Sequence, residues 1–214
     1  VAGSSFNALD AASRPCLWSG AVASDLGTLG GTLGQVYDIK GDVAVGLSSL
    51  SSGLIHATRW TLDVDDAVLE RADLGALSPT GTSSAYAVNQ LGDIVGTSNS
   101  HAVIWRDGQI ADLNDLAAGA YWVLSAAWDI DDAGRIVGTG LHAGVPRAFL
   151  LIPGDNCPAC AADFDQRGGF SGDDLAAFFA YFERGWPCAD VDQNGGIDGN
   201  DIATFLASFE AGGC

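Results

Sequence analysis

The stretch DVDQNGGIDGND, Asp190 to Asp201, sets four aspartates and two asparagines around two adjacent glycines within twelve residues. Carboxylates crowded in this way repel one another, and a bound cation relieves the repulsion. Numbered as a twelve-position loop, oxygen-bearing side chains stand at position 1 (Asp190), 3 (Asp192), 5 (Asn194), 9 (Asp198) and 12 (Asp201). Gly195 falls at position 6, where the chain must turn sharply. Gly196 at position 7 offers its backbone carbonyl, and Ile197 at position 8 is apolar. A set made only of hard oxygen donors at this spacing is the cage of a calcium loop.

The residues that follow must hold that loop. Ile202, Phe205, Leu206 and Phe209 recur at i, i+3, i+4 and i+7, one face of a helix. The whole pattern appears a second time 27 residues earlier, since Asp163 matches Asp190. There Asp163, Asp165, Gly168, Gly169, Phe170, Ser171 and Asp174 form a first loop, and Leu175, Phe178, Phe179 and Phe182 its helix face. Arg167 occupies position 5 of this loop, where an oxygen ligand is needed. Its guanidinium is expected to pair with Asp163 or Asp174, so the first loop binds calcium weakly or not at all. Two tandem loop–helix units with Asp, not Glu, at position 12 resemble a dockerin-type module over residues 160–212, of the version seen in large secreted planctomycete proteins. The resemblance implies an EF-hand-like calcium-binding helix pair that docks a protein partner. The positions that read the partner in that family carry Gly172-Asp173 and Gly199-Asn200 here instead of Ser and Thr, so a conventional cohesin partner is not implied.

Before residue 153 the chain has another character: short β-type runs separated by glycine turns, and they repeat. VYDIKGDVAVGLS leads through HATRW to RADLGALSP, YAVNQLGDIVGTS through HAVIWRDGQIADLN, and AAWDIDDAGRIVGTG through RAFLLIPG. Gly46, Gly96 and Gly138 are the motif glycines. Trp18, Trp60, Trp105 and Phe149 stand as aromatic anchors at intervals of 42, 45 and 44. A period of this length holds four short strands: an aromatic or apolar strand, a D-I-V-G strand, an H-A-x-x-W strand and a closing A-D-L strand. The triplets HAT (56–58), HAV (101–103) and RAF (147–149), with DLGTLGG (25–31), resemble the HAF-type extracellular repeat over residues 14–152. That resemblance implies propeller-like blades in a secreted bacterial protein, with no agreed activity.

The expected fold is therefore mainly β, propeller-like repeats of four-stranded units, with a β-trefoil as the alternative, followed by a small all-α calcium-loop module. The expected domains are residues 1–152, a linker over 153–162, and 163–214. Three near-complete units and an N-terminal half unit, CLWSGAVASDLGTLGG, leave the count short of a four-bladed propeller. The last unit lacks an A-D-L strand and the N-terminal segment carries one. VASDLGTLGG (22–31) is thus expected to fill the gap beside the Phe149 strand, within one chain or between subunits.

The net charge is −18, from 27 acids against nine bases, and Lys40 is the only lysine. Such a chain offers no positive face to nucleic acid or anionic membrane. No continuous apolar run reaches the ~18 residues of a membrane span. Four of the five cysteines, Cys157, Cys160, Cys188 and Cys214, fall near the C-terminus, and Cys16 stands apart. Disulfides in an oxidising compartment fit them better than a zinc site, because Cys188 and Cys214 form no second C-x-x-C; the pairing is open. His56 and His101 occupy one repeat position and read as structural, and the tryptophans read as core anchors. GTLGGTLG (27–34) reads as a hairpin turn, DVDD (63–66) as a solvated turn, and LSSLSSG (47–53) as a polar loop. With no G-x-S-x-G or H-E-x-x-H motif, the chain is expected not to be an enzyme. The expected function is a secreted, extracellular or cell-surface, calcium-binding assembly protein that associates with a protein partner or with itself. The alternative is a glycan-binding module, which should display a surface row of aromatic side chains.

Overall fold

The computed structural model describes residues 2–7, 12–19, 22–116, 121–153, 162–164, 171–183, 185 and 187–211. The chain divides into two compact units, Val1–Ile152 and Pro153–Cys214.

The first unit is four antiparallel meanders in chain order. The first sheet is β1 (Ala2–Asn7), β2 (Ala12–Ser19) and β3 (Val22–Asp25). The second is β4 (Gly30–Lys40), β5 (Val43–Leu50), β6 (Ile55–Leu62) and β7 (Val68–Asp73). The third is β8 (Ser83–Val88), β9 (Ile94–Ser98), β10 (His101–Arg106) and β11 (Gln109–Asp112), with a single helical turn, α1 (Leu113–Leu116), after it. The fourth is β12 (Trp122–Ile130), β13 (Ile136–His142) and β14 (Val145–Leu151). Tight turns set these registers. Asp107 and Gly108 both have positive φ, 52° and 74°, the conformation a two-residue hairpin needs to match strand twist.

Each of the last three sheets carries a β-bulge in its first strand, at Val36/Asp38, Ala85/Ala87 and Ala127/Asp129. The motif glycines explain how the bulges fit. Gly46, Gly96 and Gly138 pair with Val36, Ala85 and Ala127, the residues at those bulges. A Cβ on Gly46 or Gly96 would lie 1.9 Å from the carbonyl oxygen of Gln35 or Ser84, so only glycine lets the bulged strand pass.

The sheets pack face on face in sequence. Leu17, Leu26, Val36, Ala44, Trp60 and Leu62 fill the space between the first and second. Val45, Ala57, Ala85, Val88, Ile94, Val103 and Trp105 lie between the second and third. A third cluster, including Val95, Ile104, Leu124, Ile136 and Phe149, joins the third to the fourth. Alternate residues of one strand thus serve opposite neighbours: Ala44 faces back and Val45 forward. That is why these strands read as near-continuous apolar runs. Each fully buried large side chain contributes about 1.5–3 kcal/mol.

Several expectations are corrected. Four open meanders form no closed barrel among the described residues, so the β-trefoil alternative does not hold. The N-terminal segment is a three-stranded sheet, because AGSSFN pairs with β2 as an unforeseen strand. Its A-D-L strand, β3, pairs with β2 and not with the Phe149 strand, which removes closure within one chain. Leu26 is buried between the first two sheets, while Val22 is exposed. Register also displaces Phe149: it lies opposite Gly138, as Thr58 lies opposite Gly46 and Val103 opposite Gly96. Leu151 is the true counterpart of Trp60 and Trp105, paired with Ile136 as they are with Ala44 and Ile94. Residues 27–29 form no hairpin but cross from the first sheet to the second. Ser48 and Ser49, expected in a polar loop, are buried in β5, where their hydroxyls accept the Leu29 and Leu33 N–H groups.

The second unit contains α2 (Gly172–Glu183), a 3-10 turn (Pro187–Ala189) and α3 (Gly199–Ala211). Phe178 and Phe205, counterparts in the 27-residue duplication, are both fully buried and stack on each other, centroids 4.0 Å apart and planes 3° off parallel. Phe164 packs edge-on against both. Cys188 is buried and disulfide-bonded, whereas Cys16 is a buried free thiol. Among the described residues no helix is long and apolar enough to cross a membrane.

Candidate metal centre

The second acidic loop brings Asp190, Asp192 and Asp201 together, one carboxylate oxygen from each lying within 4.8 Å of the others. The backbone aims them. The left-handed φ of Gln193 and Gly195, 56° and 90°, curls the loop so that its N–H groups point at the carboxylates. Asn194 N–H donates to Asp190 Oδ1 (3.0 Å) and Asp192 Oδ1 (3.1 Å), and Gly195 N–H to Asp190 Oδ2 (3.0 Å). The Asn194 amide donates to Asp192 Oδ2 (2.9 Å) and accepts the Gly196 N–H (2.9 Å).

Asp201 has two tasks. As the third residue of α3 its Oδ2 accepts the Asp198 N–H (2.8 Å), while Asp198 Oδ1 accepts the Asn200 N–H (2.7 Å). Asp198 thus caps the helix through the N2 amide while the Asp201 side chain reaches back to the Asp198 N–H, a variant of the capping box. Asp201 Oδ1 accepts the Asp192 N–H (3.2 Å) and so ties the helix start to the loop start. Burial alone would raise the Asp201 pKa; the N–H donors of Asp198, Asp192 and Val191 outweigh it and hold the carboxyl below its ordinary value.

The donor set, all oxygen, suits a hard metal cation. Three carboxylates converge, every oxygen of the three is held by an N–H with a lone pair to spare, and the Asn194 side chain adjoins them. Asp190, Asp192 and Asp201 would hold the ion, whose charge would offset their repulsion. Asp198 is turned to the helix cap and is not part of the cluster.

In the first loop Ser171 and Asp174 repeat the capping geometry: the Ser171 N–H donates to Asp174 Oδ2 (2.8 Å), and Asp174 is fully buried. Asp163 is half-buried. Asp165, Arg167, Gly168, Gly169 and Phe170 lie outside the described residues, as do Cys157, Cys160 and Cys214.

In the β unit the histidines meet the aspartates of the A-D-L strands. His56 Nδ1 lies 2.8 Å from Asp73 Oδ1, and His101 pairs with Asp112. Burial alone would raise the Asp112 pKa; the His101 ring and Asn114 donors hold it below the usual value. The indoles of Trp60 and Trp105 donate to the carbonyls of Gly27 and Leu74, stapling each sheet to the one before. The core role expected of these two tryptophans is what the structure displays. The DVDD turn is closed by Asp63 Oδ1, which accepts the N–H groups of Asp65 and Ala67. His142 ends β13, its ring against Trp122.

Two features escaped the sequence. A cleft of about 350 Å³ is lined by Arg59, Asp73, Asp93, Trp105 and Asp107 among others; its acids Asp73 and Asp93 are engaged by His56 and Arg106. The bulges also turn one aromatic residue out of each of three sheets, and these rings touch: Tyr37 on Tyr86 at 5.5 Å, Tyr86 on Trp128 at 4.7 Å. The signal was their near-constant offset before Gly46, Gly96 and Gly138.

Fold and site thus define a mainly β chain with a C-terminal helix pair bearing a cation-sized acidic oxygen cluster. Compared with protein-family models and with curated proteins, the chain has no match.

Proposed function

We propose that this is a non-catalytic, secreted, calcium-binding protein of extracellular or cell-surface assemblies, in which the outer face of the fourth sheet docks a second copy of the chain. One observation carries the reading. Val45 and Val95, in the forward-facing position of β5 and β9, are completely buried by the next sheet, whereas their counterpart Val137 in β13 stands 44% exposed. Leu141 and Leu150, on the same side of the sheet, are exposed as well. An apolar sheet face that the two preceding sheets bury is left bare at the end of the row.

Two further features support it. Among the described residues no strand pairs with the far edge of β14, the place β7 and β11 take in the second and third sheets. Arg147 stands at the His56 and His101 position, yet among the described residues its sheet has no A-D-L aspartate to meet it. The first sheet of a second copy would extend the stack head to tail, a heterologous contact that propagates into rings or fibres. Calcium at Asp190, Asp192 and Asp201 would rigidify the helix pair for its own partner.

Sedimentation velocity across a concentration series, in calcium and in chelator, tests the reading. Association that grows with concentration and is abolished by Val137→Glu is expected; a monomer throughout overturns it. Calorimetry with calcium should show binding that Asp190→Ala and Asp201→Ala each remove, and unchanged affinity in both sinks the metal assignment.

A further inference from the structure

We infer that the free edge of β14 is a docking site for an extended strand of a partner protein bearing an Ala-Asp-Leu sequence, which adds antiparallel to β14 and places its aspartate on Arg147. The site is the edge of the fourth sheet, not the face proposed above for self-association. The chain itself shows what such an edge receives. In the second sheet Asp73 of β7 lies opposite Thr58, and its carboxylate reaches diagonally to His56 Nδ1 (2.8 Å). In the third, Asp112 of β11 lies opposite Val103 and meets His101. In the first, Asp25 of β3 lies opposite Cys16, two residues beyond Arg14; the Cys16 thiol, pushed up mainly by burial, is raised further by Asp25 and lowered by Arg14. Arginine thus already holds the histidine position of one sheet that has an aspartate strand, and a guanidinium is a strong partner for a carboxylate. The aspartates also share a corner, each accepting the N–H two residues on, from Gly27 (2.7 Å), Gly75 (2.8 Å) and Asn114 (2.9 Å).

Among the described residues the fourth sheet has every part of this arrangement except the strand. By register Phe149 is the counterpart of Thr58 and Val103, which sets Arg147 in the place of His56 and His101. His56 is buried, whereas Arg147 is exposed; its guanidinium donates to the Pro146 carbonyl (2.9 Å) and meets no carboxylate among the described residues. The leucine after the aspartate donates its N–H to the carbonyl of Pro15 in the first sheet (2.8 Å) and of Ala57 in the second (3.0 Å). Ala148 holds that place in β14, and among the described residues no strand pairs on its outer side. An unpaired edge of this kind is a template for strand addition. Pro146, which has no N–H to give, does not block it, because pairing in the second sheet starts at Ala57, the counterpart of Ala148. The leucine is selected too: Leu26 and Leu113 are buried, and Leu74 packs on the core between the second and third sheets. The chain's own segments of this kind end β3, β7 and β11 and are paired in their own sheets. A second copy therefore has none to lend, and the strand belongs to a different polypeptide.

The test is a nuclear magnetic resonance titration of the full, nitrogen-15-labelled chain with the peptide GQIADLN, copied from residues 108–114. It is run at a concentration where sedimentation velocity shows a monomer. Saturable shifts of the Ala148 and Leu150 amides are expected, with a Kd below about 1 mM. The same peptide with lysine in place of aspartate should bind about tenfold more weakly or worse, and the reversed sequence not at all. Arg147→Glu should abolish binding of the parent peptide and restore binding of the lysine peptide, while Arg147→Lys keeps most of the parent affinity. The variant spectra report folding, and the two peptides decide on the unaltered chain alone if Arg147→Glu does not fold. No shift up to about 1 mM, shifts confined to strands other than β14, equal binding of the reversed or lysine peptide, or an unaffected Arg147→Glu overturns the inference. A chain that stays monomeric at every concentration yet binds the peptide keeps this site and loses the self-association proposed above; a chain that associates but ignores the peptide does the reverse.

Discussion

Two kinds of repetition coexist in this chain, and they satisfy their apolar surfaces differently. In the C-terminal unit the copies meet through equivalent residues, Phe178 on Phe205, so the centre of each apolar face is covered by its own counterpart. In the N-terminal unit each sheet covers the one before with non-equivalent residues, Val45 against Ala85 and Ile94 for instance. A mutual pairing closes after two copies, whereas an in-line stack has a bare face at its end. The contrast between Val95 and Val137 is that difference in one residue type.

The mutual pairing breaks hardest. Phe178→Ala removes one half of the stack from a core with few other members and should destabilise the helix pair by about 3–5 kcal/mol, read as lost ellipticity in thermal melts. Gly96→Ala comes next. Its Cβ would meet the Ser84 carbonyl, so the bulge must shift, at about 1–3 kcal/mol of overpacking, measured by chemical denaturation of the β unit. The in-line stack is probed by a matched pair. Val95→Ala should cost about 1.5–2 kcal/mol and Val137→Ala under about 0.5, because only the first valine loses buried contacts. Equal costs in denaturant titrations of the monomer would mean that the fourth sheet's face is covered after all.

The smallest effect is in acid. The Asp201 pKa is depressed in the folded chain, so its contribution is complete above the unfolded value of about 3.9 and is lost as pH falls through the lower folded one. The calcium-free helix pair should therefore lose stability below about pH 4, and Asp201→Asn should flatten that dependence. An unchanged profile in the variant would assign the acid sensitivity to another group, Asp112 of the β unit being excluded if the melt is followed at the helix signal.

Local order was legible wherever a residue's own backbone or face decides it. The Asp-Gly turn at 107–108, the strand triplets around His56 and His101, and the 27-residue duplication of the helix all appear in the structure where the spacing puts them. The convergence of Asp190, Asp192 and Asp201 was legible for the same reason, since a twelve-residue loop holds its ligands close whatever surrounds it. Asp198 stands outside that cluster, where its carboxylate accepts the Asn200 N–H at the helix start.

What the sequence left undecided depends on pairing. AGSSFN has no clear alternation, and only β2 makes it a strand. Phe149 looked equivalent to the tryptophans by spacing, but the register across β13 moves that place to Leu151. Tyr37, Tyr86 and Trp128 looked like ordinary strand residues; bulges, which are a property of two strands together, turn them outward into one row. Val45, Val95 and Val137 share one local pattern, and the presence or absence of a following sheet alone makes two of them core and the third surface. Patterns along a chain encode which way a side chain points. What it meets there is a non-local contact that no window of sequence contains.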